Sequence, residues 1–128
     1  MAKVQKKGLT RIFNAYKYSM KGFKAGLENE AAIRQEFVIA IILTVASFFV
    51  FKNIEQLILL IAMPWITVVA ELLNSAVEAV VDRVSTEYHE LSGRAKDLGS
   101  AAVFVMLILT LLTWGLVLVN NYTSIFNS

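Results

Sequence analysis

Glu71, Ser75, Glu78 and Asp82 follow one another at spacings of four, three and four residues. On a helix this puts three carboxylates and a hydroxyl on one stripe, with Asn74 at its flank. The neighbouring residues, QLILLIAMPWITVVA and the apolar positions of ELLNSAVEAVVD, would otherwise read as a membrane span. An isolated acid at the bilayer centre costs about 2.5–3.5 kcal/mol on insertion scales, so these side chains must face a bundle interior, a partner charge or a polar cavity. Asn74 alone also fits interhelical hydrogen-bond glue, as polar residues in spans often are.

The segment that follows, RVSTEYHELSGRAKDLGS, mixes acids, bases, hydroxyls, one imidazole and two glycines. Arg94 and Lys96 are suited to phosphate oxygens, and Ser92-Gly93 permits close approach of backbone to a ligand. A solvated connector with its charges in water has the same composition. His89 alone supplies neither a metal cage nor a triad. Upstream, Glu28, Glu30 and Glu36 bracket the start of another apolar segment, where Glu30 can join Glu78 in holding a divalent ion. Magnesium takes one or two protein carboxylates plus substrate phosphates, so two acids from separate helices suffice for a nucleotide complex. Neither a G-x-x-x-x-G-K-[ST] loop nor a G-x-G-x-x-G turn is present to announce a nucleotide.

The elements that must position these groups are legible from hydropathy. Of 128 residues 57% are hydrophobic and 17% charged, which sets the chain apart from soluble proteins and allows one small domain, 1–128. Cysteine is absent, so disulfides, thiolate metal sites and cysteine nucleophiles are excluded. A formal charge of +2 is too small to argue for nucleic acid. Three uncharged stretches predict transmembrane helices over about 31–51, 54–82 and 97–120, each able to cross a hydrocarbon core of roughly 30 Å. The second reaches well beyond the bilayer, and Pro64 inside it predicts a kink. Between Asp82 and Asp97 a loop is expected.

Residues 1–30 hold no compact apolar core and do not read as a signal peptide. Instead Leu9, Ile12, Phe13, Tyr16, Met20, Phe23 and Leu27 form one stripe at a period of 3.6, opposite Lys7, Arg11, Lys17, Lys21 and Lys24. This predicts an amphipathic helix over about 6–28 lying in the headgroup plane. Of the 12 lysines and arginines, eight precede residue 37, three lie in 83–96, and Lys52 alone remains for the other face. The N-terminus and the 82–97 loop are therefore expected in the cytoplasm and the C-terminus in the periplasm.

ELLNSAVEAVVDR followed by EYHELSGRAKDLGSAAV resembles the signature of the small bacterial diacylglycerol kinases, and the likeness extends upstream through GLTRIFNAYKYSMKGFKAGLENEAAIRQE. That resemblance implies an all-α inner-membrane protein, a homotrimer of three-span protomers with an N-terminal surface helix, that uses ATP with Mg2+ to phosphorylate diacylglycerol to phosphatidate. It implies that Glu71 is the base for the lipid hydroxyl with Asn74 beside it, and that Glu30 and Glu78 hold metal and nucleotide. Lys96 and Asp97 match nucleotide contacts, the lysine on phosphate, and Arg11, Tyr18, Glu87, Tyr88 and His89 match the rest of the nucleotide pocket. Glu36, Ser100 and Trp114 fall, with Glu71, where the family meets lipid. Phosphoryl transfer is largely positioning and neutralisation of phosphate charge, which suits this inventory.

Two other functions fit the residues. Related small kinases phosphorylate undecaprenol, and sequence physics does not separate two hydrophobic alcohols. A non-enzymatic transporter or assembly subunit would use Glu71 and Glu78 as a proton or cation relay, but would leave the basic surface helix and the mixed segment without a role.

Overall fold

Glu30 is where the chain first breaks. Its extended backbone ends one helix and begins the next, its N–H donating to Gly26 O at 2.9 Å. The Arg34 guanidinium reaches back to Leu27 O at 2.9 Å and Glu28 O at 3.1 Å, supplying donors to carbonyls that a helix end leaves orphaned. In the computed structural model, which describes residues 7–84 and 86–123, four helices follow in order. They are α1 (Leu9–Asn29), α2 (Ala31–Val50), α3 (Ile54–Val84) and α4 (Glu90–Tyr122). The fold is all-helical among the described residues, and α2, α3 and α4 are each long and apolar enough to cross a membrane. Residue 6, where the expected surface helix starts, and the tail 124–128 lie outside the described residues.

One boundary differs from expectation. The stretch 83–96 reads as a connector, yet only residues 85–89 separate α3 from α4. His89 is the reason: its extended backbone lets Nδ1 accept the Leu91 N–H at 3.1 Å, an N-cap that starts the helix at Glu90. Arg94, Lys96 and Asp97 therefore ride on a helix, their spacing fixed by its geometry.

The core is thin and runs along α3, through Leu60, Pro64, Thr67, Val68 and Ala70, meeting Ile33, Ala40 and Ser47 of α2 and Val103 of α4. Outward, α2, α3 and α4 expose large apolar side chains such as Ile42, Phe49, Ile58, Phe104 and Leu111, as lipid-facing surfaces do. Pro64 lacks an N–H, which leaves Leu60 O without its helical donor. Trp114 of α4 fills that vacancy, donating from Nε1 to Leu60 O at 3.1 Å, and α3 runs on without a break. One turn along, Thr67 Oγ1 meets Thr110 Oγ1 at 3.0 Å.

At the end away from the connector, the Asn53 side chain accepts from Gln56 N and Gln56 Oε1 accepts from Lys52 N, a reciprocal cap at the start of α3. Asn121, buried at 5% exposure, ties all three helices there. Its amide exchanges hydrogen bonds with Gln56, both 2.9 Å, and donates to Val50 O at 3.0 Å, while Lys52 Nζ donates to Asn121 O at 2.7 Å.

The amphipathic stripe of α1 divides. Phe23 packs edge-on against Phe37, which packs against Trp65 of α3, ring centroids 6.4 and 5.3 Å apart. Leu9, Ile12, Phe13 and Tyr16 stay exposed, Leu9 at 84%.

Candidate active site

The polar stripe of α3 is split between two neighbours. Glu71, 8% exposed, is the most buried acid of the stripe, and the charges it feels are those of Glu36, then Glu78, then Glu30. Three other carboxylates, from α2, α3 and the α1–α2 elbow, thus act on Glu71 through their charge. Glu78 is fixed by its own helix: Asn74 Nδ2 donates to Glu78 Oε1 at 3.1 Å across one turn. Asn74 Oδ1 is buried and has no hydrogen-bond partner.

Beyond Glu78 the stripe ends at Asp82, whose Oδ1 lies 2.8 Å from Lys96 Nζ on α4. The Lys96 ammonium feels Asp82 first and Glu78 after it, which links the carboxylate cluster to the connector. There a polar cleft of about 280 Å³ is lined by Asp82, Glu87, Tyr88, His89, Ser92 and Lys96 among others. Tyr88 is 89% exposed. A second cleft of about 550 Å³, mostly apolar, opens between α1, α2 and α3, with Glu30 and Ser75 on its wall beside Ser19, Gly22 and Phe23.

Several of the residues singled out in the sequence are therefore neighbours within one chain. Glu71 feels the charges of Glu36, Glu78 and Glu30, and Glu87, Tyr88, His89 and Lys96 line one cleft. Asp97 and Ser100 are exposed on the same end of α4. Arg11 and Tyr18 are exposed on α1, where Lys21 Nζ lies 5.8 Å from the Tyr18 ring centroid. Trp114 stands apart: its partner Leu60 precedes Glu71 by about 16 Å of helix at 1.5 Å per residue. Sequence reasoning put Asp82 on the stripe but gave it no partner. The Lys96 contact depends on α4 folding back onto α3, which local spacing does not encode.

Among the described residues no group of three or more His, Asp or Glu is assembled to hold a metal unaided. Two carboxylates plus oxygens of a phosphate substrate make a hard-oxygen set of the kind magnesium takes, so the residues present fit such an ion.

The sequence profile of the family described as prokaryotic diacylglycerol kinase matches residues 17–118. The chain belongs to this family. Among its curated relatives, the diacylglycerol kinase of Haemophilus influenzae is 49% identical over 108 residues, 84% of this chain and 92% of its own. That of Escherichia coli K12 is 46% identical over 115 residues, 90% of this chain and 94% of its own. The diacylglycerol kinase of Pseudomonas aeruginosa is 46% identical over 111 residues, 87% and 90% of the two chains. Glu30, Glu36, Glu71, Asn74, Glu78, Glu87, Tyr88, His89, Lys96, Asp97, Ser100 and Trp114 all lie inside the matched stretch; Arg11 precedes it.

Proposed function

We propose that this prokaryotic diacylglycerol kinase family member transfers the γ-phosphoryl group of ATP to the hydroxyl of diacylglycerol, giving phosphatidate at the cytoplasmic face of the bacterial inner membrane. The observation that carries the reading is the order of groups along α3. Measured from Ile54 at 1.5 Å per residue, Glu71 lies about 26 Å and Glu78 about 36 Å along the helix. With a hydrocarbon core of about 30 Å, the first sits just inside the apolar boundary and the second just outside it. A lipid hydroxyl reaches Glu71 without leaving the membrane, and a nucleotide reaches Glu78 and the connector cleft without entering it.

In that arrangement the Glu71 carboxylate takes the hydroxyl proton as the lipid oxygen bonds to the γ-phosphorus and the bond to the β-phosphate oxygen breaks, releasing ADP. Glu30 and Glu78 are the residues to hold a magnesium ion, which supplies neutralisation of phosphate charge when bound. Asn74 fixes Glu78. Lys96 and Asp97 contact the nucleotide, the ammonium exchanging Asp82 for phosphate oxygens. Arg11, Tyr18, Glu87, Tyr88 and His89 complete the nucleotide pocket, and Glu36, Ser100 and Trp114 line the lipid's path. We assign α1 to the headgroup plane, its exposed Leu9, Ile12, Phe13 and Tyr16 entering the acyl boundary. The working form is a homotrimer.

The test is transfer of labelled phosphate from ATP by the purified chain in mixed micelles holding diacylglycerol or undecaprenol. Phosphatidate is the expected product. Transfer to undecaprenol alone would overturn the lipid assignment, and no transfer to either would favour a relay or assembly role.

In the same assay, Glu30→Ala and Glu78→Ala are each expected to raise the magnesium midpoint at fixed ATP by at least about 10-fold, because even outer-shell partners of metal ligands are worth about 10–100-fold. An unchanged midpoint in both variants would remove the metal role.

Topology is open to direct measurement because the chain has no cysteine. A single cysteine near residue 124 is expected to react with an impermeant maleimide added outside the inner membrane, and one near residue 90 to be protected. The reverse pattern would strand the nucleotide cleft away from ATP.

A further inference from the structure

Asn74 is the link between Glu78 and the rest of the bundle, and what holds Asn74 lies on α4. Its Nδ2 is committed to Glu78 Oε1, while its Oδ1 is buried without any hydrogen-bond donor. The reason it tolerates that position is Gly99. A Cβ built on Gly99 would collide with Asn74 Oδ1, stand 3.2 Å from Asn74 Cγ and 3.7 Å from Asn74 Cα. The amide oxygen therefore occupies the space that any other residue at 99 would fill with its side chain. Glycine's Cα–H groups offer that oxygen weak contacts of the kind recurrent where two helices approach closely. Ala95 and Ala102, on the same face of α4, line the groove with Gly99 and Asn74 and keep the approach open.

We infer that Gly99 is a positioning residue for the kinase reaction: by leaving room for Asn74 Oδ1, it fixes the amide in the orientation that holds the Glu78 carboxylate. The inference rests on the proposed metal role of Glu78. With Oδ1 displaced by a methyl group, the amide must rotate, and Nδ2 leaves Glu78. Flipping the amide in place does not help, because it would turn an oxygen toward the carboxylate. Glu78 then loses its donor and its fixed rotamer together, and the damage appears where Glu78 acts.

The experiment is a magnesium titration of kinase activity at fixed ATP and diacylglycerol for the parent, Glu78→Ala, Gly99→Ala, Asn74→Ala and the Asn74→Ala/Gly99→Ala double variant. Gly99→Ala is expected to raise the magnesium midpoint about 10-fold, in the range typical of outer-shell partners of metal ligands. A purely structural role would lower the amount of active protein and leave the midpoint in place, and that result would overturn the inference. In the Asn74→Ala background the alanine at 99 is expected to add nothing, as two substitutions acting through one contact are not additive. A further shift in the double variant would show that Gly99 works by another route. Should Gly99→Ala not fold, the double variant decides: a folded protein with the Asn74→Ala midpoint supports the inference, and failure of the double as well reduces Gly99 to helix packing. If Glu78→Ala leaves the midpoint unmoved, the metal reading itself fails, whatever Gly99 does.

Discussion

Glu71→Gln is expected to lower turnover by about 10²–10⁴-fold, the usual contribution of a positioned general base, while ATP binding and assembly persist. Glutamine matches glutamate in shape and cannot accept the hydroxyl proton. The variant should also be at least as stable as the parent. Glu71 is buried, and a neutral amide costs less to take out of water than a carboxylate, so the substitution removes a desolvation cost that folding must otherwise overcome. Such a site, less stable than an inert substitute would make it, is kept for function. Thermal unfolding and single-turnover transfer on one preparation check both halves. Retention of most of the activity would show that the proton leaves by another route.

Lys96→Leu is expected to cost about 10²–10³-fold in turnover, the scale of removing one fixed donor to charge that develops in the transition state. Folding should hardly change. The Lys96–Asp82 pair lies at the surface, side chains 44% and 63% exposed, where ion pairs contribute little to stability. Arginine should restore activity only in part. Its guanidinium forms a planar fork that binds a carboxylate with two parallel hydrogen bonds, so it would grip Asp82 more firmly and present charge differently to a phosphate. A lysine that merely marked the membrane boundary would tolerate arginine fully. Parent-level kinase activity in a correctly assembled Lys96→Arg protein would sink the phosphate role.

Composition and period carried the broad architecture, for reasons seen in particular residues. Long uncharged stretches ending at charged residues are a one-dimensional signal, and α2, α3 and α4 follow them. The Glu71–Glu78 stripe was readable because helical period alone puts those side chains on one face. The end of the connector was not. Serine and glycine in LSGRAK look like loop, and the signal that favours a helix there is the cap formed by His89, an uncommon capping residue. Pro64 predicted a kink, but not that Trp114, 54 residues from Leu60, would satisfy the carbonyl that the proline leaves without a donor. Asn121 fell just past the expected end of the third span, and Lys52 read as a lone far-side charge. Their bond to each other and to Gln56 exists only once three helix ends meet. The same holds for Gly99, whose meaning appears only against Asn74.

The polar knot of Lys52, Gln56 and Asn121 gives the bundle a fixed origin at one end. From that origin Glu71 stands at a set height of about 26 Å, whatever lipid surrounds it. The height of a diacylglycerol hydroxyl is set by the lipid itself, since it floats with the opposite headgroup plane. The protein is then a ruler, and the membrane is the object measured. In a thin bilayer the hydroxyl and the carboxylate come level. In a thick one the hydroxyl rides above the base, and bringing it down means tilting helices or thinning lipid at a cost of fractions of a kcal/mol per Å. With Glu71 in its proposed role as base, the rate of phosphorylation is expected to fall as the bilayer thickens.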